Sequence, residues 1–396
     1  MKSFSYLVFA CALLVSITAQ GQEPPQQQQQ EEAEAPVKLE FEDLVKLLES
    51  GTNDEKILAA ALLVDHSERL DEFIEPLLAL FAVRDDAVVD TVKRVVFWLG
   101  PDVVAIMDEE LDATNLDQLR QQCSAINAIG DPAATFEPQL LEILDTSTDP
   151  RTRTAATFAL TGFSRGCPEA IEKILVDLEH PDMNTKLFAC RLIIKTGPEA
   201  TQAVPALVEL LDNGNISERS YAAWSLGAIG PTNQFDTIQA LIEMLDRFNV
   251  IERERALIGL GLLGEESAAA EAKTRLLMAE DGTNLEGQAA VTLWQITGDA
   301  EEPVARLVEL SKGIDFEVKG LQLLGDMGPA AADAMDFLIE RANSEDEAIQ
   351  VYALDTIAKI GPAANEHHEA IQALTEDEDP VVRLAARMTL RKITDE

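Results

Sequence analysis

The sequence has few basic side chains and few aromatic rings for its length. Of its 396 residues, 31 are Lys or Arg against 71 Asp or Glu, which gives a formal charge of -40. A surface this acidic repels phosphate and anionic lipid, which argues against binding of nucleic acid or of a membrane surface. With 46% apolar residues the chain can still bury a core, so wholesale disorder is excluded.

Long apolar runs are also missing beyond the N-terminal segment. Residues 1–21 carry one base, Lys2, then an apolar run and then small or polar residues, which is the layout of a signal peptide too short to anchor permanently. We therefore expect export to a periplasm or to the cell exterior, with cleavage after Ala19 or Gly21. Residues 22–36, rich in Gln, Pro and Glu, have nothing large to bury and are predicted to be a disordered tether.

Cysteine pairs and catalytic signatures are absent as well. Cys123, Cys167 and Cys190 would remain after cleavage, an odd number without close spacing, and are predicted to be small buried side chains. There is no nucleophile elbow, phosphate loop, dinucleotide fingerprint or Cys-x-x-Cys-His motif. We predict a protein that is no enzyme, with no catalytic residue, no cofactor and no metal site, although its acidic surface could attract divalent cations weakly and diffusely.

What the sequence has is internal repetition. A polar residue is followed fifteen positions later by Gly at six places, and the polar starters recur every 33 or 34 residues, apart from one irregular copy near Gly313. The starters are Asn115, Asp182, Asn215, Asn249, Thr283 and Asp346, with two further units at Asp149 and Asp379 that lack the closing glycine.

Each unit has the same local pattern. The polar starter is a helix N-cap, apolar residues follow at helical spacing, and Gly, often with Pro, ends the helix before a second one begins. No segment shows sustained strand alternation. The pattern predicts an all-α solenoid of about eleven antiparallel helix pairs over residues 37–396, in which stacked neighbours bury the faces that one pair alone cannot.

Two stretches carry a resemblance to a known family. Residues 203–211, AVPALVELL, and 379–386, DPVVRLAA, resemble the first and second helices of HEAT repeats, especially the short form also found in phycobilisome lyases. Gly287 and Gln350 depart from the pattern, since the family has a basic residue there. The resemblance implies that first helices (A) form the convex outer surface and second helices (B) the concave inner one. On this mapping acids exceed bases several-fold on A helices and nearly balance them on B helices, so the acidity is expected outside.

Two sets of residues on the B helices are candidate sites. In the first, a basic residue four positions after each starter could bond a neighbouring cap residue across the repeat interface and form a structural ladder. The ladder set is Asp149, Arg153, Asp182, Lys186, Asn215, Arg219, Asn249 and Arg253.

The second set is a basic and aromatic strip on the concave side, of the composition that protein-recognition hot spots favour. Its members are Arg151, Phe158, Phe188, Arg191, Lys195, Tyr221, Trp224 and Arg255. The structural alternative is that the aromatic rings pack between helices and only the charges reach solvent.

The function we favour is an exported, non-enzymatic scaffold or adaptor that binds a protein or peptide in its concave groove. HEAT-like architecture alone does not fix a function. Two alternatives stay open: a lyase-like or chaperone-like modifier related to bilin lyases, and a structural element of the cell envelope that binds cations or a basic polymer.

Overall fold

The computed structural model describes residues 39–107, 111–233, 235–280, 282 and 285–394. The predicted signal peptide, the predicted tether and the starter Thr283 lie outside these residues. The described residues form 22 α-helices in eleven successive pairs, several of them joined by short 3-10 turns, and contain no β-strand beyond one isolated bridge. The predicted all-α solenoid is confirmed.

The helices alternate between the A and B types along the chain. The A helices are α1 (Phe41–Ser50), α3 (Leu70–Ala79), α5 (Pro101–Ile106), α7 (Glu137–Thr146), α9 (Pro168–Leu178), α11 (Val204–Asn213), α13 (Thr237–Met244), α15 (Glu271–Ala279), α17 (Glu301–Leu310), α19 (Met335–Ala342) and α21 (His368–Ala373). The B helices are α2 (Asn53–Leu63), α4 (Asp86–Leu99), α6 (Leu116–Ile129), α8 (Pro150–Leu160), α10 (Met183–Thr196), α12 (Ile216–Ile229), α14 (Val250–Leu263), α16 (Glu286–Thr297), α18 (Glu317–Met327), α20 (Glu347–Ile360) and α22 (Pro380–Ile393).

The B helices begin and end where the repeat pattern predicts. Seven starters accept backbone N–H bonds as N-caps, and most closing glycines have positive φ, such as 66° at Gly197, a conformation that a side chain would strain. The capping starters are Asn115, Asp149, Asp182, Asn215, Asn249, Asp346 and Asp379. The irregular copy begins later, because α18 starts only at Glu317 and has no side-chain cap.

The chain divides into two compact units, Met1–Val92 and Lys93–Glu396. In the first unit the ring of Phe41 packs edge-on against His66 and Phe73, with centroids 5.4 and 6.1 Å apart. The guanidinium carbon of Arg69 lies 3.5 Å from the centroid of Phe41, and Arg69 also pairs with Glu42. An aromatic cluster capped by a paired arginine therefore holds this unit's first helices together.

In the second unit the B helices pack on one another more closely than the A helices do. At the contact of α12 with α14 the backbones meet, and a Cβ at Gly227 would overlap the Cα of Gly259. Because the more tightly packed layer of a two-layer stack lies on the inside of its curve, we assign the concave surface of this unit to the B helices.

Charge follows the two layers. A helices carry several times more acids than bases, whereas B helices carry a small excess of bases. The remaining acids lie largely in turns. Among the described residues, no helix combines the length and apolar character needed to cross a bilayer.

The three described cysteines are free and buried, as predicted. Burial raises the pKa of the Cys123 and Cys190 thiols to about 12, so both are protonated at neutral pH. They act as small core side chains.

Candidate functional site

The predicted strip lies across four successive B helices, α8, α10, α12 and α14. Phe158 and Phe188 meet edge to face with centroids 5.5 Å apart. The guanidinium carbon of Arg191 then lies 5.1 Å from the centroid of Phe188 and 6.0 Å from that of Tyr221. An Nη2–H of Arg191 also donates to the Tyr221 hydroxyl at 3.4 Å. Three rings and one cation thus form a continuous chain of contacts from α8 to α12.

The contacts continue onto the next repeat. The Tyr221 and Trp224 rings stack with centroids 6.1 Å apart and planes at 27°. From α14, the guanidinium carbon of Arg255 lies 4.7 Å from the centroid of Trp224 and 5.9 Å from that of Tyr221. Cation–π contacts of this kind favour a charged group over a ring face.

Six of the eight predicted strip residues are therefore in one continuous chain of contacts. We call these six the concave strip: Phe158, Phe188, Arg191, Tyr221, Trp224 and Arg255. Arg151 and Lys195 are exposed, and within the described chain neither stacks on a ring of the strip. The rings are half-buried, so each packs against its repeat and still presents part of its surface to solvent.

The local sequence explains why these side chains emerge together. On α10, Phe188 and Arg191 are three residues apart and so share a helix face. The same spacing separates Tyr221 from Trp224 on α12. The residues beside them are small and fully buried, such as Ala189, and let neighbouring B helices approach until the larger side chains touch.

The ladder residues differ from the prediction in their partners. The cap residues bond backbone groups of their own helices, and the basic residues cross the interface to a different acid. Lys186 of α10 binds Glu218 of α12 at 2.6 Å, and Arg219 of α12 binds Glu252 of α14 at 2.6 Å. A cap side chain already holds N–H donors of its first turn, whereas the glutamate three residues later points back towards the preceding repeat.

These ion pairs alter the acids that they hold. The hydrogen bond from Lys186 lowers the pKa of Glu218 from its usual value. Burial pushes the pKa of Glu252 upward, but the hydrogen bonds and charges of Arg219 and Arg247 together outweigh it and leave that pKa lowered. Both carboxylates are therefore ionised at neutral pH.

Arg153, at the start of the ladder, forms a buried pair with the next A helix. Its Nε and Nη2 donate to the two carboxylate oxygens of Asp177 at 2.8 and 2.9 Å, and Nη2 also donates to the carbonyl of Lys173 at 2.7 Å. Both side chains are over 90% buried. Arg153 thus forms a desolvated pair with Asp177 and not the predicted bond to a cap residue. At Arg253 the Nε is buried without a hydrogen-bond partner.

Sequence reasoning missed a cluster of possible ligand atoms. Atoms of Glu137, Cys167 and Glu169 lie within 4.8 Å of one another, although the first is some 30 residues from the others. Arg165 already pairs with Glu137, and burial raises the pKa of Cys167 to about 12. The cluster therefore holds a neutral thiol and an internal ion pair, a poor donor set for a metal.

The sequence also provided no means of predicting a contact between two distant repeats. Both Nη atoms of Arg94 donate to the carboxylate of Asp355, at 2.5 Å each. Near this contact the guanidinium carbon of Arg391 lies 5.8 Å from the centroid of Trp98, beside a cavity of about 600 Å³ that His368 also lines. No local pattern signals a pair 261 residues apart.

Comparison with known proteins supports the architecture. Residues 137–227 match the family model described as HEAT repeats. These residues run from α7 to α12 and include five of the six residues of the concave strip. The matched residues are HEAT repeats, a type of helical scaffold that commonly binds other proteins. The same helix-pair pattern continues through the described chain on both sides of them.

No curated protein matches the chain. Among solved structures, the crystal structure of an engineered protein is 21% identical, with 89% of this chain and 98% of that chain covered and a TM-score of 0.34. The complex of CpcE and CpcF of phycocyanin lyase from Nostoc sp. PCC7120 is 19% identical, with 64% and 93% covered and a TM-score of 0.43. With TM-scores below 0.5, neither structure bears on the function of this chain.

Proposed function

We propose that this protein is an exported, non-enzymatic interaction module that binds a segment of another protein along the concave strip. The observation that carries the proposal is the continuous chain of contacts between half-buried rings and guanidinium groups over four repeats. Aromatic and Arg side chains dominate the binding energy of protein interfaces. Export rests on the signal-peptide pattern of residues 1–21.

The strip suits binding better than it suits core packing. A core aromatic is enclosed by apolar neighbours, whereas Tyr221 and Trp224 are each only half-buried and face charged groups. Truncating both side chains to alanine should leave the small buried residues between α10, α12 and α14 in place. The strip is accordingly expected to contribute more to partner binding than to stability.

The test is capture from the native exported fraction with the double variant Tyr221→Ala/Trp224→Ala. A matched control is Phe337→Ala on the A helix α19, since Phe337 is also half-buried and lies 5.3 Å from the guanidinium carbon of Arg341. We expect the wild type and the control to retain the same partner and the double variant to lose it, at unchanged helix content by circular dichroism. Equal retention by all three proteins contradicts the proposal, and unfolding of the double variant shows instead that the rings are core.

A further inference from the structure

The two arginines of the concave strip lack a carboxylate partner in a chain with a large excess of carboxylates. Within the described residues, neither Arg191 nor Arg255 forms an ion pair with Asp or Glu. Eight other described arginines form ion pairs, whereas Arg84, Arg120, Arg151, Arg253 and Arg383 do not. The paired ones are Arg69, Arg94, Arg153, Arg165, Arg219, Arg247, Arg275 and Arg341. The strip therefore keeps two positive charges that the protein's own acids do not neutralise.

Both guanidinium groups are held in place by rings. They approach the same Tyr221 ring, with carbons 6.0 and 5.9 Å from its centroid, so the two carbons are at most about 12 Å apart. The Nε of Arg255 is also buried and donates to nothing in the described structure. The Nε atoms of Arg253 and Arg341 are in the same state, so an acceptor from outside would meet the Nη atoms of Arg255 and not this buried Nε. The guanidinium groups are thus arranged to receive an acceptor from outside.

The direction of the strip indicates the form of the occupant. The strip crosses four B helices instead of following one, and packed helices lie about 8–10 Å apart. A polyproline II segment advances about 9 Å in three residues and returns its side chain to the same face. Aromatic-lined grooves recognise such segments. Side chains three residues apart on such an occupant lie about 9 Å from one another, within the upper limit of about 12 Å on the separation of the Arg191 and Arg255 guanidinium carbons.

We propose that the concave strip binds an extended, polyproline II-like acidic segment of a separate protein, in which carboxylates three residues apart accept hydrogen bonds from Arg191 and Arg255. This inference rests on the proposed function and adds its ligand class. Charge-assisted bonds between guanidinium and carboxylate groups supply the selectivity, and the faces of Phe158, Phe188 and Trp224 contact the prolines. The local charge of the strip overrides the repulsion expected from a protein of net charge -40.

The test uses three labelled nonapeptides on the wild-type protein, with three repeats each of Pro-Pro-Glu, Pro-Pro-Gln or Pro-Pro-Lys. We expect fluorescence anisotropy to show the Glu peptide binding at least about ten-fold more tightly than the Gln peptide, with an affinity that falls as salt is added. The Lys peptide reports the attraction of the whole acidic surface. If the Gln peptide binds as well as the Glu peptide, segment binding survives and the carboxylate inference fails. Tighter binding of the Lys peptide also overturns the inference.

Variants of the two arginines test whether the preference for the Glu peptide depends on the concave strip. Arg191→Gln and Arg255→Gln should each weaken the Glu peptide about ten-fold and leave the Gln peptide unchanged. Arg275→Gln on α15 is the matched control, because Arg275 is a half-buried arginine of the acidic A layer, paired with Glu271 and Glu302. An equal loss of affinity in the control would show that peptide binding depends on the overall charge of the protein. This result would contradict the proposed site.

A last comparison separates an external segment from the chain's own acidic residues 22–36. Removing these residues should change the affinity for the Glu peptide by less than about two-fold. An increase of ten-fold or more would show that residues 22–36 occupy the strip, and the assignment to a separate protein would then be wrong.

Discussion

Two runs of repeats in the second unit differ in the side chains that join each repeat to the next. From α8 to α14 the residue four positions after the starter is basic, and at the first three of these positions its side chain reaches an acid of the following repeat. From α16 to α20 the same position holds Gly287, Glu317 and Gln350. We call these the basic region and the non-basic region. Both stack B helix on B helix, so the ladder is one solution to joining repeats and not a condition of the fold.

The non-basic region fills the position in three ways. At Gly287 the space is taken by Phe316 and Leu323, whose atoms would lie 2.5 and 2.7 Å from an added Cβ. The Gln350 amide donates to the carbonyl of Ala342 at 3.3 Å. At Glu317 the charge is reversed, since this acid of α18 binds Arg341 of the next A helix at 3.0 Å. That pair has the same 24-residue separation as Arg153 and Asp177, with acid and base exchanged.

Breaking the buried pair should produce the largest difference between the two regions. Asp177→Ala leaves the buried Arg153 charge without its counter-ion, and we expect a loss of about 3–5 kcal/mol in the free energy of unfolding. Glu317→Ala should cost less, because the Arg341 side chain is 28% exposed and water can replace the acid. Urea denaturation of both variants measures the difference.

The surface pair of Lys173 and Asp145 provides the control for that measurement. Asp145 is 55% exposed, so Asp145→Ala should change stability by less than about 1 kcal/mol. If Asp177→Ala is no more harmful than this control, the buried pair does not set the basic region apart.

Acid should weaken the ladder itself. The pKa of Glu218 is lowered in the folded protein by Lys186, so the pair's stabilisation is present above the unfolded pKa of about 4.3 and is lost as the pH falls through the folded value. Glu218→Gln should therefore cost about 1 kcal/mol or less at pH 7, and progressively less as the pH is lowered from 7 towards 3 and through the folded pKa. Thermal unfolding of variant and wild type across this range tests the expectation, and a cost that does not change with pH would contradict it.

The non-basic region should contain the opposite and smallest pH effect. Desolvation, followed by the charges of Asp379, Asp346 and Asp377, raises the pKa of Glu347. A raised carboxyl pKa means that stability is present below the unfolded pKa and is lost as the pH rises through the folded value. Glu347→Gln should then stabilise the protein by a few tenths of a kcal/mol at pH 7 and have no effect at pH 3. The same thermal series measures it, and destabilisation at pH 7 would show that ionised Glu347 has a stabilising partner.

The departures at Gly287 and Gln350 show where sequence reasoning stops. Both are visible as breaks in the repeat, but their replacements come from residues that no spacing rule selects, such as Phe316 beside Gly287. The ladder's bases were recognisable by position, and their partners were not, because the caps Asn215 and Asn249 lie only three residues from the acids Glu218 and Glu252 that the bases meet. The exchange of charge between Glu317 and Arg341 has no local signature at all.

The sequence by itself determined the all-α class, the number of helix pairs and the boundaries of most B helices. N-caps, closing glycines and apolar spacing act within about fifteen residues and recur in most units. Only the tertiary structure decided which acid each base meets, that Arg153 is buried, and that Arg191 and Arg255 share one ring. These outcomes depend on how neighbouring repeats pack. Each side chain there has several acids within reach along the sequence, and packing places it against one of them.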